Sequence, residues 1–456
     1  MSRQPDLLPR SKSPIIPVAN NHRLVQIADT LDWDALQQRA QEIRLAKLKN
    51  AAGQPPHLRA TLGAMVLMAT RKLTYREAED LIQYYAPARY LCGLTETNWT
   101  PDFTTIQDFT ELMSEEGIRL INQYVVGVAV EKKLADPRTL VADTTAQEAA
   151  IPHPNEIGLM AGFLRSVTAA APRVAGALKM FMRRTAAQFD AARQKAREYR
   201  LFAKTKPSKD RIMRQMVTIV EKLNQRLGVA LEATCTSSGE LRGRAIVAKD
   251  KLRDLQQTMT RLLPQIRYWI RTGFVASGKI ISVHVPQLYA IVRGKVGKTV
   301  EFGLSWGISR LHGGYLLATL ARDRHELQDK KFTVRAVEDH IALFGQAPRS
   351  YSYDRGGYSS QNVATLQKLG VKEVGLAPQG KTRWAVSETA RVRLVRERAL
   401  VEAGIGSIKS TRYGFNRPAA RSVAMMGACG QRAVLGFNVN KLVRELAARK
   451  KIVLIG

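Results

Sequence analysis

Three carboxylates stand out for where they fall. VADTT ends an apolar run on Asp143, YSYDRGG ends another on Asp354, and RERALVEAGIGSIK carries Glu402 among cations. Acids at the ends of neighbouring strands leave a sheet edge together. A third acid from a helix packed beside them completes a cluster of oxygen ligands of the kind that hard divalent cations such as Mg²⁺ favour. Two such ions roughly 3.5–4 Å apart activate an attacking oxygen and stabilise the leaving one in an in-line displacement at a phosphodiester. The surroundings of Glu402 fit that chemistry. At roughly 100° per residue, Arg398 and Lys409 both fall within about 40° of its direction on a helix. Arg398 can steady the carboxylate as an i,i+4 partner, and Lys409, two turns on, can reach a nucleic-acid phosphate.

Composition points to the same substrate. The 456 residues carry 71 Lys and Arg against 39 Asp and Glu, a net charge of +32, with a pI near 10.4. Such an excess calls for a polyanionic partner, and nucleic acid is the leading candidate. No uninterrupted apolar run approaches the roughly 20 residues of a membrane span, and no signal peptide opens the chain, so the expectation is a soluble, cytoplasmic, nucleoid-associated protein. Cys92, Cys235 and Cys429 lie far apart and read as free thiols rather than as a disulfide framework or a zinc ribbon.

The elements that must position the acids follow from periodicity. Residues 1–19 read as a loose basic arm. Residues 20–135 recur at helical steps, with starts of capping-box form at Thr74-x-x-Glu77 and Thr104-x-x-Gln107 and a helix-start acid at Asp102. Within them, TYREAEDLIQ and ARYLCGL have the proportions of a helix-turn-helix, or of two helices packed only for the core. Residues 136–155 supply the first strand. Residues 156–278 are helical and basic: positions 161–280 hold 25 Lys and Arg against 8 Asp and Glu, an excess of +17. Backbone-phosphate contact is the reading of that excess, and SSGELRGR is a turn between its long helices. From 279 to 445 strands KIISVHVP, KTVEFGLSWGISR and GGYLLATLA precede alternating helices and strands. RGKVGK, with Lys295, forms a basic loop between strands, and 446–456 is a tail. Tyr351, Tyr353 and Trp306 read as core or as stacking aromatics. Trp384, in QGKTRW, is the better candidate for DNA contact.

The run from Arg398 to Lys409, with Tyr413 and Phe415 after it, resembles the signature of DDE-type insertion-sequence transposases. There a Tyr-x-x-Arg-x-x-x-Glu-x-x-x-x-x-x-Lys pattern surrounds the last acid; Val395 occupies the tyrosine position here. DTTAQEAAIPHPNE and YDRGGYSSQN are similar to the segments around the family's first and second acids, and TLDWDALQ and PDFTTIQDF to its N-terminal DNA-binding helices. The resemblance implies an α/β fold: an RNase H-like mixed five-stranded sheet flanked by helices, behind an all-α N-terminal domain, with a helical basic insertion after the first catalytic strand. It implies Asp143, Asp354 and Glu402 as catalytic ligands of two Mg²⁺ ions, with Mn²⁺ as a substitute. Arg398, Lys409, Arg355, Lys295, Trp384 and Arg412 would support the site or touch DNA. The implied partners are terminal inverted repeats and target DNA, bound by a dimer or larger assembly that cleaves a strand and transfers its 3′-OH. A nuclease or resolvase that cuts without joining, and a non-catalytic DNA-binding derivative, remain as alternatives.

Overall fold

A computed structural model describes residues 18–47, 57–174, 176–236, 243–295, 298–378, 384 and 386–455. Along the chain these form α1 (Arg23–Thr30), α2 (Trp33–Lys47), α3 (Leu58–Arg71), α4 (Tyr75–Tyr84), α5 (Ala86–Leu91), α6 (Phe103–Glu131), β1 (Asp136–Glu148), α7 (Glu156–Ala170), α8 (Ala177–Leu201), α9 (Lys206–Thr236) and α10 (Arg244–Thr272). There follow β2 (Tyr289–Lys295), β3 (Lys298–His312), β4 (Leu316–Leu320), α11 (Asp329–Phe344), β5 (Ser350–Tyr353), α12 (Ser360–Lys368), β6 (Glu373–Leu376), α13 (Glu388–Lys409) and α14 (Val423–Ile455). The fold is mixed α/β, and the chain divides into two compact units, one of residues 1–147, 305–420 and 424–456, the other of 148–304 and 421–423.

The first unit is built on α3, of which every residue from Ala60 to Thr70 is buried. That burial has a backbone cause. Gly63 lies so near Cys92 that a Cβ would sit 2.7 Å from its Cα, and a Cβ on Gly436 of α14 would sit 2.0 Å from the Ala69 carbonyl oxygen. Glycine is the residue that permits such approach. Thr74 and Glu77 close the expected capping box on α4. The second expected box does not form. Asp102 caps α6 instead, accepting from Thr105 N at 2.7 Å, because the helix begins two residues earlier than a cap at Thr104 requires. In α5 the six residues bury Pro87, Ala88 and Leu91, which is core packing.

In the sheet of this unit β4 pairs with the second half of β3, which lies beside β1, followed by β5 and β6. The β3–β4 pair is antiparallel, whereas β1–β5 and β5–β6 are parallel. β3 runs antiparallel to β1: Trp306 Nε1 donates to Gln147 Oε1 at 3.1 Å, while Gly313 packs on Leu134 at the other end. A buried amide network ties α6, β4 and α14 together. Asn438 Nδ2 donates to Asn122 Oδ1 at 2.8 Å and to Leu316 O at 2.7 Å, and Leu316 N donates back to Asn438 Oδ1 at 3.0 Å.

The second unit holds α7 to α10 and the β2–β3 hairpin, a sixth strand beyond the five expected. Helix α9 buries Met213, Met216, Val217, Val220, Leu223 and Leu227, and α10 buries Ala248, Leu252, Leu255, Met259, Leu262 and Ile266. These three- and four-residue steps are the stripes of packed helices. The helices α8, α9 and α10 run antiparallel in turn, joined by Arg226 Nη1 to Gln188 Oε1 at 3.2 Å and Asn224 Nδ2 to Thr260 Oγ1 at 2.9 Å. The expected strand KIISVHVP is not one. Ile280 and Val283 pack into the core of these helices, and Ser282 Oγ accepts from Val285 N at 3.2 Å, bending the segment. The residues between α9 and α10 that SSGELRGR spans lie mostly outside the described set.

Candidate active site

Strand register brings the first two acids together. β1 pairs with β5 as Thr139↔Ser350, Leu140↔Tyr351 and Val141↔Ser352. Two residues on, Asp143 is level with Asp354, one inter-strand spacing of about 4.8 Å away. Side chains alternate along a strand, so Asp143 shares the face of Val141, and Asp354 that of Ser352. Ser352 Oγ donates to Leu394 O of α13 at 3.2 Å, which identifies this face as the one beneath that helix.

Backbone N–H groups hold both carboxylates, Asp143 within β1 and Asp354 just past β5. Asp143 Oδ1 accepts from Thr144 N at 2.7 Å. Asp354 caps the short turn 355–357, accepting from Gly356 N at 2.8 Å. The glycines of YDRGG are required by crowding. A Cβ at 356 would lie 2.7 Å from Asp329 Oδ2, and one at 357 would lie 2.1 Å from Thr333 Oγ1.

Asp329, in the first turn of α11, is the residue that sequence reasoning missed. Its Oδ1 accepts from Thr144 Oγ1 at 2.9 Å and from the Tyr353 hydroxyl at 3.1 Å. It joins the first strand to the second acid. Burial, and then the charge of Asp329, push the Asp354 carboxyl above its ordinary range, while the N–H groups of Gly356 and Gly357 and the Arg398 guanidinium pull it back. Beneath lies Tyr351, fully buried, whose hydroxyl finds no hydrogen-bond partner among the described residues. Burial and the charges of Asp143 and Asp354 hold that phenol well above the usual range.

On α13 a buried stripe of Ala390, Leu394, Val401, Gly404, Ile405 and Ile408 faces the core. Arg398, Glu402 and Lys409 lie along one flank of it, and Arg398 is close enough to Asp354 to act on its charge. Glu397 projects from within that stripe, bonded to Arg310 Nη1 at 3.2 Å and His312 Nδ1 at 3.3 Å. Glu402 is exposed, one turn after Arg398. Among the described residues no three His, Cys, Asp or Glu side chains converge into a metal cage. Arg355 is exposed beside Asp354, Lys409 and Trp384 are half-buried, and Arg412 is exposed, its guanidinium 5.4 Å from the Tyr413 ring. Lys295 ends β2, and its side chain lies outside the described residues. Tyr351, Tyr353 and Trp306 are core residues.

The fold and this corner define a mixed α/β protein with two aspartates level on parallel strands, Asp143 within β1 and Asp354 just past the end of β5. Residues 13–112 match the family model described as a transposase domain, DUF772, and that match supports a transposase family. No curated protein and no solved structure matches the chain. No described helix is long and apolar enough to cross a membrane.

Proposed function

We propose that this chain is a DDE-type transposase with an RNase H-like catalytic core, binding the terminal inverted repeats of its own element, cutting there and joining the freed 3′-OH to target DNA. One observation carries the reading: Asp143 and Asp354 are level on neighbouring parallel strands, on the face beneath the helix that bears Arg398 and Glu402. Strand order β4-β3-β1-β5-β6, antiparallel on one side of β1 and parallel on the other, supports the fold. The match of residues 13–112 supports the class.

The carboxylate pair fits Mg²⁺, which commonly takes one or two protein carboxylates and completes its shell with water and phosphate oxygens. The crowding of Asp354 by Asp329 is the kind of like-charge repulsion that a cation relieves. When bound, such ions, two per site, would supply an activated water or 3′-OH and stabilise the departing oxygen. The chain's own residues hold the geometry. Thr144 N and Gly356 N fix the two aspartates, Arg398 offsets the charge of Asp354, Glu402 adds a ligand from the helix flank, and Lys409 aligns a phosphate. Two ends must be cut together, so a dimer assembled on DNA is part of the proposal.

The test is a labelled duplex carrying the element's terminal repeat, incubated with Mg²⁺ or EDTA. Metal-dependent cutting and joining, absent in Asp354→Asn and Glu402→Ala although both still bind the duplex, is the expected outcome. Cutting without joining would reduce the enzyme to a nuclease, and undiminished cutting by Glu402→Ala would remove that residue from the site.

A further inference from the structure

In the first unit, next to the end of α13, two adjoining clefts of about 410 and 250 Å³ share Arg23, Arg412 and Asn440. Arg71 and Lys72 also line the larger, and Lys441 and Arg444 the smaller. Among the described residues no carboxylate lines either. Lys441 is discounted as a free cation because it bonds Glu445 at 2.5 Å. The others are held near one another by the backbone. Lys72 caps α3 in the left-handed region, φ 55°. Its side chain packs on Gly414, φ 72°, where a Cβ would lie 3.1 Å from Lys72 Cε. The half-buried Arg23 anchors its guanidinium on the carbonyl oxygen of Asn440 in α14. Arg412 follows three residues after Lys409, so the clefts continue directly from the end of α13.

Bringing cations together without acids costs energy. Arg23 is pulled below the ordinary arginine range by burial and then by the charges of Arg412 and Arg444. An anion between them offsets that repulsion, and guanidinium groups suit phosphate oxygens in geometry as well as charge. Two clefts joined through shared residues suit a polymer of phosphates better than a single ion.

We propose that the paired clefts are a docking groove for the phosphodiester backbone of DNA, gripped by Arg23, Arg71, Lys72, Arg412 and Arg444. The groove joins helices of the N-terminal region to the end of α13, so one stretch of backbone would be held against both. This rests on the transposase reading and adds to it a place for the DNA.

The test measures binding of the full-length chain to the terminal-repeat duplex, and to a duplex of scrambled sequence, across a range of salt. In Arg71→Gln/Arg412→Gln, both exposed positions, the slope of log affinity against log salt should become shallower by about two, equally for both sequences. Lys368→Gln/Lys372→Gln removes the same charge from exposed positions of the same unit that line neither cleft, and should leave the slope nearly unchanged. An equal fall in both double variants, or a loss confined to the terminal-repeat sequence, overturns the groove. So does an unchanged slope in the cleft variant; if the intact chain still cuts the duplex, only the groove falls and the enzyme reading stands. An intact chain that neither binds nor cuts removes both.

Discussion

The acid corner and the basic helical unit treat like charge in opposite ways. Where Asp143 in β1 stands level with Asp354 just past β5, register forces carboxylates together, and Asp329 is locked beside them by Thr144 and Tyr353. In α8 to α10 the cations are spread along outward faces, with exposed pairs such as Arg193–Asp190 at 3.0 Å and Arg253–Asp250 at 3.5 Å that contribute little to stability. Concentrated charge of one sign is a cost that a fold keeps at functional sites. Dispersed charge in solvent is compatible with general attraction to a polyanion. The first should be brittle to single changes, and the second should respond to the number of charges removed.

The largest effect tests the brittle side. Asp143→Asn or Asp354→Asn should lower the cleavage rate by about three orders of magnitude or more, as expected when a charge-stabilising group is taken from a reaction centre. A fall of less than about tenfold would mean that the pair is not the reaction centre.

A pH experiment probes a buried group that is not part of the acid cluster. His340, on the same helix as Asp329, is buried, and burial lowers its imidazole to about 4. The unfolded chain takes up that proton near pH 6.5 and the folded chain does not until near 4, so stability falls as pH drops between those values. Between pH 7 and pH 5 the loss from this residue should be about 2 kcal/mol, read from urea midpoints. His340→Leu should remove that share of the dependence.

Asp329→Asn should cost about 10–100-fold in cleavage, the usual range for a group that orients metal ligands. Mn²⁺ affinity, followed by electron paramagnetic resonance, should weaken in parallel. A variant with full Mn²⁺ affinity and reduced stability would make Asp329 a structural residue only.

On the dispersed side, Arg183→Gln/Arg184→Gln, both exposed on α8, should flatten the salt slope of DNA binding by no more than about two while changing stability by less than about 0.5 kcal/mol. The smallest effect sharpens the contrast. Asp354→Asn relieves the crowding by Asp329 and should raise the melting temperature by about 1 °C, the shift expected from roughly 1 kcal/mol in a chain of 456 residues. The arginine variant should not.

Much of this was legible in the sequence, for reasons that differ by region. Asp143 and Asp354 each terminate a short apolar run, which placed Asp354 correctly just past β5; β1 instead continues through Asp143 to Glu148, because the polar residues after it still pair in the sheet. Helices α8 to α10 carry an unbroken period and a charge excess. Glu402, Arg398 and Lys409 could be put on one helix flank by counting. Asp329 escaped because an acid in the first turn of a helix is also what the helix dipole favours, so its type and position carry no separate signal. KIISVHVP misled because a β-branched apolar run also suits a bent segment lying in a helical core. The cationic clefts draw on α1, α3, the segment after α13 and α14, and no local pattern links residues so far apart.

The close crossing of Gly436 on Ala69 has a consequence in time. Helix α3 is made before every element from α4 onward, and α14 is the last described element. At roughly 5–20 residues per second of synthesis, the surface of α3 that α14 covers would stay bare for about 20–70 s. The sheet that brings Asp143 beside Asp354 likewise waits for β5. A half-made chain therefore has neither its acids assembled nor its first apolar helix sealed, and throughout that interval it depends on whatever else can shield the bare face.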